Sequence, residues 1–324
     1  MRVLVTGAAG FIGSWVTQRL LARGDEVIGL DNFNDFYDPK IKEGNVAAIK
    51  SGPGADRFHM VRADIAEDDD TMAALFSDPA HKPDVICHLA AWAGVRPSIA
   101  TPQKYIQANI LGTTKLLDLA VAHAIKPFVF ASSSSVYGAR KEVPFRETDP
   151  VDDPVSPYAA TKKAGELIGY TYHHLYQLGF VGLRFFTVYG PRQRPEMAIH
   201  LFADKIKKGE AITLFGDGSS SRDYTYIDDI VDGVLASIDL AAKGPCYEII
   251  NLGGSETTTL AQLVQVIESA LDKQAKIERL PDQPGDVPRT FADVSKAFEK
   301  LNYKPQISVE EGVKRFVAWL ENQK

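Results

Sequence analysis

Short apolar runs alternate with helix-length segments along the first 250 residues or so of the chain. Seven runs have the character of buried strands, at residues 3–5, 27–30, 58–61, 85–89, 128–131, 182–186 and 249–252. A helix is predicted over 12–22, directly after the first run. Strands that are apolar throughout are typical of parallel sheets covered by helices on both faces. The pattern therefore predicts an α/β fold with a doubly wound parallel sheet of the Rossmann type.

The regular alternation loosens after Tyr189. Residues 190–195, 216–221 and 281–288 have the composition of loops, whereas 258–271 and 309–320 are predicted to form amphipathic helices. These segments predict a second, smaller substrate-binding domain made of interleaved pieces. The expected division assigns residues 1–187 and about 223–252 to the Rossmann domain, and about 188–222 and 253–324 to the smaller one.

The composition is that of an ordinary soluble globular protein. The 324 residues are 45% hydrophobic and 24% charged, and the net charge of −6 argues mildly against nucleic-acid or membrane-surface binding. The two cysteines, Cys87 and Cys246, lie in apolar stretches and are expected to be buried thiols. No signal peptide or membrane-spanning segment is recognisable and no cluster has metal-ligand spacing, so we expect a cytoplasmic protein without a metal site.

A glycine motif, GAAGFIG at 7–13, lies between the first predicted strand and the first predicted helix. Gly7, Gly10 and Gly13 permit a tight turn and a close approach of the backbone to a pyrophosphate at the helix N-terminus. Phe11 and Ile12 belong to the same turn. In this context the motif predicts a dinucleotide site rather than a ligand-free turn.

Asp31 ends the second predicted strand, at the distance from the glycine motif that is expected of a ribose ligand. Its carboxylate would repel a 2′-phosphate and no arginine follows it, so NAD is favoured over NADP. Other candidate cofactor residues follow the strands or lie in the helical stretch 102–122; they are Asn32, Asp64, Ile65, Leu89, Ala90, Ala91 and Asn109. For Asp64 a helix cap, and for Asn109 a solvated side chain, are the simpler interpretations.

Four serines at 132–135 precede a tyrosine and a lysine that are four positions apart, Tyr158 and Lys162. Positions i and i+4 are neighbours on one helix face, so the phenol and the ammonium are expected to lie side by side. A nearby ammonium favours the phenolate and lowers the tyrosine pKa from about 10. With a serine hydroxyl to hold the substrate oxygen, the pair predicts proton transfer at a carbinol that is being oxidised.

These motifs together resemble the extended short-chain dehydrogenase/reductase superfamily, essentially from end to end. The resemblance is carried by the glycine motif, HLAA at 88–91, SSSSVYG at 132–138 and YAATK at 158–162. Within the superfamily the chain is similar to the NAD-dependent nucleotide-sugar 4-epimerases. That similarity implies that Tyr158 is the general base, Lys162 its partner and Ser133 the serine that assists it, with tightly bound NAD that is not consumed.

Segments of the smaller domain look like the family's UDP-sugar site. LFGDG at 214–218 is similar to the uridine-binding strand, with Phe215 available to stack. RDY at 222–224 matches the segment whose arginine, Arg222, meets the diphosphate. PGD at 284–286 matches the loop whose aspartate, Asp286, reaches the uridine ribose.

Three further segments look like the UDP-glucuronate 4-epimerase branch: DNFNDFYDP at 31–39, AGVR at 93–96, and RFFTVYGP at 184–191 continuing to RPEMA at 194–198. A sugar carboxylate needs neutral donors or a cation, and the available set is Ser134, Ser135, Thr187 and Arg194, with Arg96 as a further candidate. The competing interpretation of Arg194 is contact with phosphate or solvent. UDP-galactose/UDP-glucose 4-epimerase is the alternative within the family.

The serines also bear on the type of reaction. Related 4,6-dehydratases and decarboxylases tend to carry an acidic residue at one of the two positions before Val-Tyr-Gly, where this chain has Ser134 and Ser135. Without that acid, oxidation and re-reduction at the sugar C4, through a transient 4-keto intermediate, is expected rather than elimination. A non-catalytic NAD-binding sensor and a net dehydrogenase stay open. The helices around 103–122 and 158–178 resemble a family dimer interface, so a homodimer is expected.

Overall fold

The structure is a computed structural model that describes residues 1–281 and 287–323. Its strands are β1 (Arg2–Thr6), β2 (Glu26–Asp31), β3 (Phe58–Arg62), β4 (Val85–His88), β5 (Pro127–Ser133), β6 (Gly179–Phe185), β7 (Thr187–Tyr189), β8 (Ala211–Phe215), β9 (Ser221–Arg222), β10 (Tyr224–Tyr226), β11 (Cys246–Leu252), β12 (Thr258–Thr259) and β13 (Lys276–Leu280). Its α-helices are α1 (Phe11–Arg23), α2 (Pro39–Lys50), α3 (Asp69–Ser77), α4 (Val95–Ala100), α5 (Pro102–Ile106), α6 (Thr113–Ala122), α7 (Pro157–Tyr176), α8 (Ala198–Lys208), α9 (Ile227–Ala241), α10 (Leu260–Leu271), α11 (Ser295–Leu301) and α12 (Val309–Glu321).

Seven strands form one parallel sheet in the order β3-β2-β1-β4-β5-β6-β11. The chain proceeds from β1 towards one edge and then returns to β4 and proceeds towards the other edge. This reversal leaves a crevice beyond the carboxyl ends of β1 and β4, which is where such sheets bind ligands. The doubly wound Rossmann fold is thus confirmed, and all seven predicted apolar runs are strands of this sheet.

The central strands are largely apolar because both faces of the sheet are covered. Along β1, Val3 and Val5 pack into one hydrophobic cluster with α1 and α9, whereas Leu4 packs into a second cluster with α3 and α6. Side chains alternate between the two faces of a strand, so a strand buried on both faces cannot alternate between apolar and polar residues.

The remaining strands form three small two-stranded sheets, β7 with β10, β8 with β13 and β9 with β12. Helices α8, α10 and α12 pack together beside them. The predicted division into two domains stays a prediction, because the first hydrophobic cluster continues from Val3 to Leu320 without interruption. Helix α11 lies in the segment assigned to the smaller domain but packs on α9 and β11.

Some local expectations need adjustment. The helical stretch 102–122 contains a π-helical turn over Gln107–Gly112, and residues 258–259 form β12 ahead of α10. Cys87 is buried, but Cys246 is only half-buried, and both thiols are free. None of the helices in the described ranges combines the length and the apolar character that crossing a membrane requires.

Candidate functional site

A cavity of about 780 Å³ opens at the carboxyl ends of the central strands, at the reversal point of the sheet. The predicted residues that line it are Gly7, Gly10, Phe11, Ile12, Gly13, Asp31, Asn32, Asp64, Ile65, Leu89, Ala90, Ala91, Arg96, Ser133, Ser134, Ser135, Tyr158, Lys162, Thr187, Arg194 and Arg222. Asn109 and Phe215 each touch one of the lining residues, as described below. Asp286 lies outside the described residues.

The glycine motif is packed too closely for side chains. Gly7 has a φ of +71°, and a Cβ at this position would lie 2.9 Å from the Ala90 nitrogen. A Cβ on Gly13 would lie 2.0 Å from the Gly7 carbonyl oxygen. The first turn of α1 has no side-chain cap, so its N–H groups point into the cavity region where a pyrophosphate would be held. The turn therefore fits a dinucleotide.

Asp31 is buried at the end of β2, with 6% of its surface exposed. One carboxylate oxygen accepts a hydrogen bond from the Phe33 nitrogen at 2.8 Å and the other from the Ala9 nitrogen at 3.3 Å. Lys42 of α2 places its ammonium 3.5 Å from the same carboxylate, and burial lowers the pKa of that lysine. Lys42 could not be anticipated from the sequence, because nothing in its spacing from Asp31 relates a helix residue to a strand end.

Asn32 and Asp64 join the ends of β2 and β3. The Asn32 amide donates to an Asp64 carboxylate oxygen at 2.6 Å, and the other oxygen of Asp64 accepts from the Ala66 nitrogen at 2.8 Å. Asp64 thus stabilises the turn that follows β3 as well as lining the cavity. It does not cap a helix, since α3 begins at Asp69 with Asp68 as its N-cap residue, and its contact with the cofactor stays a prediction.

Asn109 lies in the π-helical turn and is buried rather than solvated. Its amide oxygen accepts from the Trp92 nitrogen at 2.8 Å, and its amide nitrogen donates to the Trp92 carbonyl and to the Thr161 hydroxyl, both at 3.0 Å. It therefore ties the segment after β4 to α7, one residue away from Lys162. Single π-helical turns within α-helices frequently occur at functional sites.

Tyr158, Lys162 and Ser133 meet at the cavity wall. Ser156 caps α7 by accepting from the Ala159 nitrogen at 3.1 Å, which places Tyr158 in the first turn and Lys162 one turn later. The Lys162 ammonium lies 5.8 Å from the centre of the Tyr158 ring, and the Ser133 hydroxyl is near enough to the phenol to act on its pKa. The predicted proximity of these three side chains is present in the structure.

Lys162 does not have the predicted electrostatic effect on the pKa of Tyr158. Burial raises the pKa of Tyr158, and the effects that oppose it are the Ser133 hydrogen bond and the charge of Arg194. Lys162 is 3% exposed, and burial lowers its pKa to about 7. Its ammonium donates to the Ala131 carbonyl at 2.7 Å. The prediction of a lowered tyrosine pKa is therefore wrong for the polypeptide itself, because burial raises that pKa and Lys162 is not among the groups that lower it.

The candidate substrate hydroxyls line the cavity next to Ser133. Ser134 and Ser135 lie in the 3-10 turn Ser134–Tyr137 directly after β5, and Thr187 begins β7. The Ser135 hydroxyl is buried and has no hydrogen-bond partner among the residues that the structure describes. Because a buried hydroxyl without a partner is unfavourable, this group has the character of a ligand contact.

The candidate arginines hold protein partners. Arg194 lies 3.2 Å from a Glu196 carboxylate oxygen and its guanidinium stacks over the Phe36 ring at 5.2 Å. Arg96 lies over the ring of Phe215 at 5.2 Å, so the ring predicted to stack on uridine carries a guanidinium here. Arg222 lines the cavity and donates to the Ser221 carbonyl at 3.0 Å.

Several cavity residues were not anticipated. Phe36 and Tyr37 of the loop after β2 and Glu196 of the loop before α8 line the cavity together with Arg194, whose guanidinium lies over the Phe36 ring. The stretch 31–39 was singled out only by resemblance, which did not show what its aromatic side chains contact. In residues 1–281 and 287–323, no group of three or more His, Cys, Asp or Glu side chains is placed to hold a metal ion.

Comparisons with known proteins agree with this geometry. The profile of the family described as GDP-mannose 4,6 dehydratase matches residues 4–316. The chain is 45% identical to a protein named UDP-glucuronate 4-epimerase from Thermodesulfobacterium geofontis, over 98% of this chain and 95% of that protein. Among solved structures it is similar to UDP-glucuronic acid 4-epimerase from Bacillus cereus in complex with UDP-glucuronic acid and NAD, with a TM-score of 0.90, 37% identity and 99% coverage of both chains. It is also similar to UDP-glucose 4-epimerase from Thermotoga maritima with UDP-glucose, with a TM-score of 0.86, 32% identity and 99% coverage of both chains.

Proposed function

Because the chain belongs to the family described as GDP-mannose 4,6 dehydratase, we propose that it uses the cavity to epimerise UDP-glucuronate at C4 with NAD. The family's description names a dehydratase, but relatives at 40–45% identity are named UDP-glucuronate 4-epimerase. Ser134 and Ser135 stand where the dehydratases tend to carry an acid. One observation supports this type of reaction most directly. Ser133, Tyr158 and Lys162 lie close together in the cavity wall, next to these two uncharged serines.

The roles of the side chains follow from their positions. Tyr158 takes the proton of the C4 hydroxyl and later returns it, while Ser133 holds that oxygen. Lys162 anchors the base against β5 through the Ala131 carbonyl. NAD, when bound, supplies oxidation of C4 followed by its reduction, and its nicotinamide charge favours the phenolate in a site where burial disfavours it.

A glucuronate substrate adds a difficulty, because its 4-keto form is a β-keto acid that can lose carbon dioxide. Ser134, Ser135 and Thr187 offer neutral hydroxyls, and Arg194 offers a cation, on the side of the cavity next to Ser133. We propose that these groups hold the carboxylate out of alignment for that loss. The unpartnered hydroxyl of Ser135 supports this assignment.

One experiment tests the proposal. The purified protein is incubated with UDP-glucuronate, and UDP-galacturonate is followed by chromatography, with UDP-glucose as the parallel substrate. We expect interconversion of the uronates, and a loss of about 10²–10⁴-fold in the Tyr158→Phe variant, while NAD and UDP-sugar binding are retained. Turnover of UDP-glucose alone would favour the galactose branch, accumulation of free NADH a dehydrogenase, and no turnover of any UDP-sugar a sensor. Unimpaired turnover by Tyr158→Phe would remove this residue from the mechanism.

We further propose that two copies of the chain associate through α7 and the helical stretch beside it. Ile106, Leu111, Leu167 and Tyr170 are between 43% and 55% exposed, although all are large and apolar. They lie on α5, the π-helical turn and α7, which pack side by side. Light scattering should give twice the chain mass of 35.5 kDa for the wild type, and the Leu167→Glu variant should shift to monomer. A monomeric wild type would contradict the proposal.

A further inference from the structure

Helix α7 holds the end of β5 at successive residues. The contact of Lys162 with the Ala131 carbonyl and the proximity of Tyr158 to Ser133 belong to the site described above. Between them stands Ser132, which is 2% exposed and does not have a part in the proposed reaction. It lines the cavity, and its side chain contacts α7 one turn beyond Lys162.

The Ser132 hydroxyl donates to a carboxylate oxygen of Glu166 at 2.6 Å. Glu166 follows Lys162 by four residues and Tyr158 by eight, so the three side chains lie along one face of α7. The Glu166 side chain is 1% exposed. A buried carboxylate of this kind requires charged or hydrogen-bonding partners.

Arg184 of β6 is the close ionic partner of Glu166, and the Lys163 ammonium lies farther away, 3.9 Å from one carboxylate oxygen. Its guanidinium donates to both carboxylate oxygens of Glu166, from Nε and Nη2, each at 2.9 Å, and its side chain is 3% exposed. Arg184 lies directly opposite Ser132 in the pairing of β5 and β6. Its guanidinium also rests over the Tyr137 ring at 4.8 Å. Three elements, α7, β5 and β6, thus converge on one carboxylate.

Stability alone does not account for this arrangement. A buried ion pair is often no more favourable than apolar side chains of the same volume, because removing both charges from water costs as much as their attraction returns. What the bidentate pair adds is a fixed orientation of the Glu166 carboxylate. The carboxylate can accept from Ser132 only when α7 stands at one height along β5.

We propose that Glu166 is a positioning residue that fixes the height of α7 along β5, and through it the contact between Ser133 and Tyr158. The inference rests on the proposed function, since Glu166 has this role only if Ser133 and Tyr158 carry out the reaction. Arg184 orients the Glu166 carboxylate. The hydrogen bond from Ser132 to that carboxylate then fixes the end of β5, and with it the neighbouring Ser133, relative to α7.

The Ser132→Ala variant tests this with the smallest change, the removal of one hydroxyl that leaves the buried ion pair intact. Tyr247→Phe is the matched control, because the Tyr247 hydroxyl donates to the main-chain carbonyl of the same residue, Glu166, at 2.9 Å. Both variants lose one hydrogen bond to one turn of α7. We expect kcat to fall about tenfold in Ser132→Ala, equivalent to about 1.4 kcal/mol, with KM unchanged. Tyr247→Phe should stay within about twofold of the wild type, and Ser132→Thr, which keeps the hydroxyl, should recover most of the rate.

A second measurement does not depend on turnover. Tyrosines carrying ¹³C at Cζ are titrated by NMR in the wild type and in both variants, and the Tyr158 signal is assigned by its loss in Tyr158→Phe. The Ser133 hydrogen bond lowers the pKa of Tyr158, so loosening it should raise that pKa in Ser132→Ala but not in Tyr247→Phe. Equal titration and equal kcat in the two variants would overturn the positioning role. A wild type without epimerase activity would refute the proposed function, and the titration would still decide the role of Glu166.

Discussion

Replacing Gly13 by alanine gives a sharp test of how the glycine motif holds the cofactor. A Cβ at this position would lie 2.0 Å from the Gly7 oxygen, 2.7 Å from the Gly7 carbon and 3.0 Å from the Ala8 Cα. All three are backbone atoms. The Gly7 oxygen also accepts the hydrogen bond of the Gly10 nitrogen at 3.0 Å, so it cannot swing away without breaking the turn.

The size of the effect follows from these distances. Real Cβ atoms essentially never approach within 3.0 Å, so the start of α1 must retreat from the end of β1 by about 1 Å. Overpacking of this kind costs about 1–3 kcal/mol of folding free energy. The same displacement moves the N–H groups of the first turn away from the pyrophosphate. We therefore expect NAD affinity to fall by about 10–100-fold, or about 1.4–2.8 kcal/mol.

Gly44 provides the matched control. It lies inside α2, a Cβ added to it would have no atoms within 4 Å, and it is not among the glycines with positive φ. Gly44→Ala should therefore stabilise the protein by about 0.5–1 kcal/mol and leave NAD binding unchanged. NAD retained through purification is measured after denaturation, and NAD affinity by calorimetry on protein freed of it. If Gly13→Ala keeps the NAD content and affinity of Gly44→Ala, the close-approach argument is wrong.

Two further predictions concern charge. Arg194→Asp places a second carboxylate beside Glu196, so turnover of UDP-glucuronate should fall by about 10²-fold or its decarboxylation should rise; behaviour like the wild type in product chromatography would exclude a carboxylate role. His88 is 1% exposed between the hydroxyls of Thr6 and Thr113, and burial, with a smaller contribution from the Lys162 charge, lowers its pKa to about 3. The unfolded chain binds a proton below about pH 6.5 and the folded chain does not, so this stability is present above pH 6.5 and is lost as pH falls, by about 2 kcal/mol at pH 5. In urea unfolding at pH 7 and 5, His88→Gln should lose less stability on acidification than the wild type, and equal losses would contradict the assignment.

The sheet was predictable because its signal is local. Seven runs of apolar residues, each flanked by helix-length segments, admit few arrangements other than a parallel sheet buried on both faces. The glycine motif and Asp31 predict the edge of the sheet at which a cofactor binds, since both follow strands whose carboxyl ends lie at that edge. These features need only the order of residues along the chain.

The contacts between distant loops were not predictable in this way. Phe36 carries the guanidinium of Arg194 and Phe215 carries that of Arg96, yet each pair is separated by more than a hundred residues. Stacking of an arginine on an aromatic ring leaves no periodicity in either segment. Lys42 beside Asp31 was missed for the same reason. The sheet determines which loops become neighbours, so such pairs are visible only in the folded chain.

The error about Tyr158 shows what side-chain proximity on a helix leaves undetermined. Spacing placed Lys162 beside the phenol correctly, but the lysine directs its ammonium to the Ala131 carbonyl, and burial weakens its charge near neutral pH. Among the charges of the described residues, the one that lowers the tyrosine pKa belongs to Arg194, on a loop from the other part of the fold. The group that we propose to hold the substrate carboxylate is therefore also a group that favours the phenolate. A carboxylate bound to Arg194 would offset part of that effect, so the nicotinamide charge and the Ser133 hydrogen bond must supply more of the stabilisation with a uronate than with a neutral sugar. This makes the position of Ser133 matter most for the substrate that we propose.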